Sequence, residues 1–177
     1  MPNANRSQTV YVSTSNPDSV NDASLYAGGE LGQAYDYNDR AYQIVKLDSG
    51  AGVSLALAAN QLLYWKDRSA YLVTNDYRFG LYKGVANSHA NNVAGILRNA
   101  ATAGRYIHQL IRGRNIAVKE EGSATAGMRL VASVSSPEAD TIGVAVGTTL
   151  VYNYIGNVRT ATSTVTCYAD VDMTNTP

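Results

Sequence analysis

The sequence predicts an all-β fold: a small β-barrel or sandwich of about 8–10 short strands with an extended N-terminal arm. Three observations predict it. Side chains alternate over Arg105–Arg112, with Tyr106, His108 and Leu110 on one face and Ile107, Gln109 and Ile111 on the other. They alternate again over Ser163–Met173, placing Val165, Cys167, Ala169, Val171 and Met173 inward and Thr164, Thr166, Tyr168, Asp170 and Asp172 outward. Between such runs, Gly, Asn, Asp, Ser and Pro recur every ten residues or so, roughly the spacing of turns in an all-β domain.

Residues 1–40 read as the arm. They are rich in Asn, Ser, Asp and Gly, with a short β-like patch at Thr9–Val12 and a helical-turn signal around Ser19–Tyr26 that ends at Gly28-Gly29. The arm carries Tyr11, Tyr26, Tyr35 and Tyr37, rings that suit docking on its own subunit or on a neighbour.

The barrel-like body spans residues 41–177. Tyr42–Leu47 is a strand. Gly50–Asn60, rich in Ala and Leu, permits a short helix or a loop packed under the sheet. Gln61–Lys66 and Ala70–Asn75 form a hairpin across Asp67-Arg68-Ser69. A polar connection follows, Asp76–Ala90, punctuated by Tyr77, Phe79 and Tyr82. Gly95 and its β-favouring neighbours argue against a helix over Asn87–Asn99 and for a strand from Val93. Arg112-Gly113-Arg114-Asn115 reads as a turn between the Arg105–Arg112 strand and another at Asn115–Glu120. Strands at Gly127–Val134, Ile142–Val146, Thr149–Ile155 and Ser163–Met173 complete the series. Ala58–Val118 and Ala124–Val171 also repeat one order of features, with Ala94-Gly95-Ile96 matching Ile142-Gly143-Val144-Ala145. Two related β-units, or chance likeness among simple β-patterns, both account for it.

Composition narrows the partners. At 177 residues the chain suits one domain with a core of its own. Fourteen basic and fourteen acidic residues cancel, so nothing suggests electrostatic capture of nucleic acid or of an anionic membrane. No apolar run approaches the ~20 residues of a membrane helix, and the N-terminus lacks the basic-then-apolar pattern of a signal peptide. A soluble protein made in a cytoplasm is expected. Thirteen Tyr accompany one Phe and one Trp, and only 16% of residues are charged. Such a surface suits burial against other protein.

No catalytic set is visible. His108 sits mid-strand as a structural residue, and His89 lies in a loop. Cys167, the only cysteine, alternates with apolar residues and reads as a buried thiol. Asp36 with Asp39, and Asp170 with Asp172, lack the Gly and terminal Glu of a calcium loop. Neither a nucleophile elbow nor a phosphate-binding or dinucleotide fingerprint occurs. The expectation is no enzyme, no metal and no cofactor. Arg105, Arg112 and Arg114 cluster as a contact surface or, alternatively, a phosphate site.

Ala58–Asp67 (AANQLLYWKD), Tyr71–Asp76 (YLVTND), Val93–Leu97 (VAGIL) and Thr102–Val118 (TAGRYIHQLIRGRNIAV) occur in an order that resembles the capsid decoration, or cement, proteins of tailed bacteriophages. The resemblance covers residues 45–120 best and the C-terminal third more loosely. It implies a β-barrel-like virion structural protein, a homotrimer bound to the outer surface of the major capsid protein lattice, where it stabilises the head. The N-terminal 40 residues depart from the short cement pattern. On this reading the protein-interface candidates are Tyr11, Tyr26, Tyr35, Tyr37, Tyr77, Phe79, Tyr82, Arg112 and Arg114. The alternative is a carbohydrate- or receptor-binding β-domain of a phage tail, with Tyr64, Trp65, Tyr77 and Tyr82 stacking on sugar rings. Adjacent in a strand, Tyr64 and Trp65 face opposite ways, so at least one of them is core.

Overall fold

The computed structural model describes residues 31–52, 56–80, 92–133, 135–142, 154–160 and 165–173. Its strands are β1 (Ala34–Tyr37), β2 (Arg40–Leu47), β3 (Leu62–Asp67), β4 (Leu72–Thr74), β5 (Val93–Ile96), β6 (Tyr106–Lys119), β7 (Arg129–Ala132), β8 (Ala139–Ile142), β9 (Tyr154–Thr160) and β10 (Thr166–Asp172). The fold is all-β. A 3₁₀ turn at Tyr77–Gly80 is the one helical element among the described residues.

Five strands close a barrel in the order β2–β4–β3–β5–β6 and back to β2. β2 runs parallel to β4 and antiparallel to β6, and the other pairs are antiparallel. Val45, Leu47, Leu63, Val73, Ala94 and Ile107 form one buried cluster drawn from all five strands, which places it inside the ring. Closure removes the exposed edges that an open sheet would present.

The remaining strands repeat that connectivity. β7 pairs with β8 and β9, β9 with β10, and β10 with the second half of β6. These stand to one another as β3, β4, β5 and β6 do, with the end of β6 in the place of β2. The ends of this second set meet at a single parallel bridge, Glu120 to Ala139. Apart from the last residue of β6 and of β10, the sets β3–β6 and β7–β10 fall within the two segments whose features repeat in the sequence. By pairing, the counterpart of β5 is β9, while residues 143–145 of the segment matched to Ala94-Gly95-Ile96 lie outside the described residues. Gly95 lies opposite Leu63, and Gly156 lies opposite Leu130. Both glycines let the next strand come close. A Cβ on Gly95 would lie 2.9 Å from the Leu110 carbonyl oxygen, and one on Gly156 only 1.8 Å from that of Asp170.

The expected turn at residues 112–115 is not a turn. β6 runs unbroken for 14 residues. Its register slips against β2 at Ala41/Tyr42 and against β10 at Ala169/Val171. Asn115 takes a positive φ of 51° there. Gly113 and Asn115 serve a bulge that bends the strand from one barrel into the other, and bulges call on the same residues as turns. A second, larger core follows this bend. It joins Tyr42, Ile44, Leu62, Tyr64, Ile96 and Leu110 of the first barrel to Ile116, Val118, Leu130, Ile155, Cys167 and Val171 of the second.

The body begins before residue 41. β1, expected within the arm, pairs with β2 from Ala34↔Gln43 to Tyr37↔Arg40. Asn38 and Asp39 link them with φ of 49° and 59°, the two-residue turn whose twist matches a hairpin. Thr9–Val12 and Ser19–Tyr26 lie outside the described residues. Val93–Ile96 is strand and not helix, whereas residues 87–91 lie outside the described set. Val165, expected inward, is 58% exposed because it precedes the ladder of β10.

Candidate functional site

The interface candidates separate once placed in space. Tyr11, Tyr26 and Tyr82 lie outside the described residues. Tyr35 is core: its ring stacks on Tyr42 at 5.8 Å, and its hydroxyl is hydrogen-bonded to His108 Nδ1. Tyr37 and Tyr77 are half-buried against the larger core. Arg112 and Arg114 are exposed at the β6 bend. Arg112 pairs with Asp36 at 3.1 Å, and Arg114 adds its charge to the field on Asp170. Exposed ion pairs of this kind contribute little to stability.

Phe79, 38% exposed, belongs to a different surface. Tyr64 is fully buried in the larger core, so Trp65 points the other way and packs half-buried against the cluster inside the ring. Trp65, Lys66, Arg78, Phe79 and Asn92 line a groove of about 620 Å³. A cleft of about 440 Å³, reaching to Tyr77 and Pro137, shares Lys66, Asp76, Arg78 and Phe79 with it. The Asn92 side-chain amide donates to the carbonyls of both Trp65 and Phe79 at 2.7 Å, which ties β3 to the 3₁₀ turn.

The groove's charges are anchored in pairs. Lys66 lies 2.8 Å from Asp48, and Arg78 Nε donates to Asp76 at 2.8 Å. The hydrogen bond from Lys66 holds the Asp48 carboxyl below the usual carboxylate range, and that from Arg78 does the same for Asp76. In each pair the cation is the more exposed member: 38% against 14% for Lys66 and Asp48, 64% against 19% for Arg78 and Asp76. Lys66 also sits 5.8 Å from the centre of the Phe79 ring. The result is a positive rim over aromatic walls, a surface suited to binding. Trp65 was a candidate only for the carbohydrate-binding alternative, and Lys66, Arg78 and Asn92 were not among the sequence candidates. The signal for Trp65 was the Tyr64-Trp65 pair, whose rings had to face opposite ways.

Cys167 and Asp170 lie away from the groove. Burial pushes the Cys167 thiol up to about 11, with Glu120 adding to the shift, so it stays protonated at neutral pH. Asp170 accepts the Asn115 N–H at 3.0 Å and the Arg159 Nε–H at 2.6 Å, which braces the bulge. No three of His, Cys, Asp and Glu gather at metal-binding distance among the described residues. No helix among them is long and apolar enough to cross a membrane.

Burial also pushes the His108 imidazole below its ordinary 6.5. The unfolded chain therefore takes up that proton first as pH falls. Stability from this site is complete above about 6.5 and is lost as pH drops through the folded-state value. The difference in melting temperature between the wild-type chain and His108→Gln should shrink from pH 8 to pH 5. A difference that stays constant would remove His108 as the cause.

No protein-family model matches the chain, and no curated protein is found to be similar to it.

Proposed function

We propose that the protein is a virion structural protein, a capsid decoration protein that binds the outer surface of a tailed phage's major capsid lattice and stabilises the head. One observation carries the reading. The segments that resemble cement proteins fall on β3, β4, β5 and β6, which with β2 make up the closed first barrel. The resemblance thus follows one folded unit, and that unit holds the groove of Trp65, Lys66, Arg78 and Phe79. Aromatic rings and arginine, here Trp65, Phe79 and Arg78, are what protein interfaces concentrate. Trimers on a repeating lattice would multiply modest contacts of this kind. In this reading the protein is made in the host cytoplasm and resides on the capsid surface, with no direct contact to nucleic acid or membrane.

The test is co-sedimentation with expanded empty heads, combined with heating of filled heads that carry or lack the protein. The expected result is co-sedimentation, weakened at least tenfold by Trp65→Ala with Phe79→Ala, and earlier DNA loss from heads lacking the protein. Equal heat stability with and without it would sink the decoration reading. The same groove supports a second reading, a carbohydrate- or receptor-binding domain of a tail, because Trp65 and Phe79 could stack on sugar rings. Glycan-array binding abolished by Trp65→Ala in a folded chain, without binding to heads, would favour that reading instead.

A further inference from the structure

The two barrels close differently. The first closes through paired strands all the way round, whereas the second closes at Glu120. The Glu120 N–H donates to the Val165 carbonyl at 3.0 Å, and the next N–H, of Glu121, donates to the Ala139 carbonyl at 3.0 Å. The Glu120 side chain is buried at this seam, the residue being only 1% exposed. Its Oε1 accepts the Ala124 N–H at 2.8 Å, while Oε2 has no hydrogen-bond partner among the described residues. A buried carboxylate with a bare oxygen is costly when ionised and tolerable when protonated.

Among the described residues, the titratable groups around it offer no compensating cation. Asp140 of β8 repels its negative charge, and the Cys167 thiol of β10 is neutral. Glu121, next in the chain, faces Ser135, whose hydroxyl donates to it at 2.6 Å. Burial is the main influence and pushes the Glu120 carboxyl above the ordinary glutamate value, with Asp140 adding to it against the Ala124 N–H.

We propose that Glu120 is a proton-operated latch on the second barrel: protonated, it lets β6, β8 and β10 close around it, and ionised, it favours an open seam. The closed state binds the proton more tightly than the open state, in which Glu120 regains water. The opening equilibrium therefore grows by up to about tenfold per pH unit between the closed-state and open-state values, and is flat on either side. Opening frees the edge of β8 and exposes apolar residues of the second core, so rising pH uncovers a surface that acid conceals. The latch does not depend on the decoration reading.

Amide hydrogen exchange of the full chain tests it, with wild type and Glu120→Gln compared at one pH so that the chemistry of exchange cancels. Gln keeps the acceptor for the Ala124 N–H and carries no charge. The two chains should protect the amides of residues 120 and 121 similarly at pH 4, below the ordinary glutamate value. At pH 7.5 the wild-type amides should exchange at least about tenfold faster, while the β2–β6 ladder stays equally protected in both. Equal protection at both pH values would overturn the latch, and so would a difference spread evenly over both barrels. If Glu120→Gln does not fold, Asp140→Asn decides: removing the like charge should slow seam exchange at pH 7.5, and no slowing overturns the proposal.

Discussion

A Gly156→Ala chain should be destabilised by about 3 kcal/mol or more relative to wild type, enough to remove a large share of a small domain's stability. The new Cβ would fall 1.8 Å from the Asp170 carbonyl oxygen and 2.9 Å from the Val171 Cα. Both are backbone atoms of β10, so no rotamer change relieves the clash. Gly156 is also held on its other side, where it pairs with Leu130 of β7. The strand must therefore shift as a whole and break ladder contacts on both edges. Urea unfolding of the two chains measures the difference. Gly122→Ala is the control, because a Cβ there meets nothing within 4 Å. It should change stability by less than about 1 kcal/mol. A loss at Gly156 no larger than that would mean that β9 and β10 do not approach as described.

Leu110→Ala should cost about 2–5 kcal/mol, the usual range for removing a fully buried leucine. Leu110 is 0% exposed and stands on β6 opposite both Tyr42 of β2 and Ile96 of β5. Its side chain belongs to the larger core shared by both strand sets, whose walls are paired strands that cannot move in without breaking their ladders, so the cavity stays open. β6 also carries the second barrel, and the loss should therefore appear as one cooperative transition with a lower midpoint. Val165→Ala, at a site 58% exposed, should stay within about 0.5 kcal/mol. Denaturant midpoints for the two variants that shift equally would contradict the packing around β6.

Both effects concern contacts between strands far apart in the chain, and the same distinction governs how much of the protein was readable beforehand. Alternation over Arg105–Arg112 and Cys167–Val171 is a local property, since each residue's face follows from its neighbour's. The hairpin across Asp67–Ser69 was local too, and Tyr64 against Trp65 was settled by adjacency. The residues at 112–115 marked a change of direction, but Gly and Asn favour bulges and turns alike. Only the partner strands, β2 on one half of β6 and β10 on the other, make that change a bend. Tyr35 looked like part of an arm because its neighbours are polar. It is core because β2 and His108 offer its ring and hydroxyl a place.

The candidate site divides in the same way. Phe79, Arg112 and Arg114 were visible as exposed residue types, but nothing local told which of them share a surface. The groove forms because β3 and the 3₁₀ turn, separate elements of the chain, are tied together by Asn92. By itself the sequence determined the all-β class, the strand faces, the buried Cys167 and the repeat of features along the chain, because these depend on periodicity and on single-residue preferences. The tertiary structure alone decided barrel closure, the shared β6, the groove and the buried Glu120 seam. Each of these depends on which distant strands pair, and that is set by burial summed over the whole core.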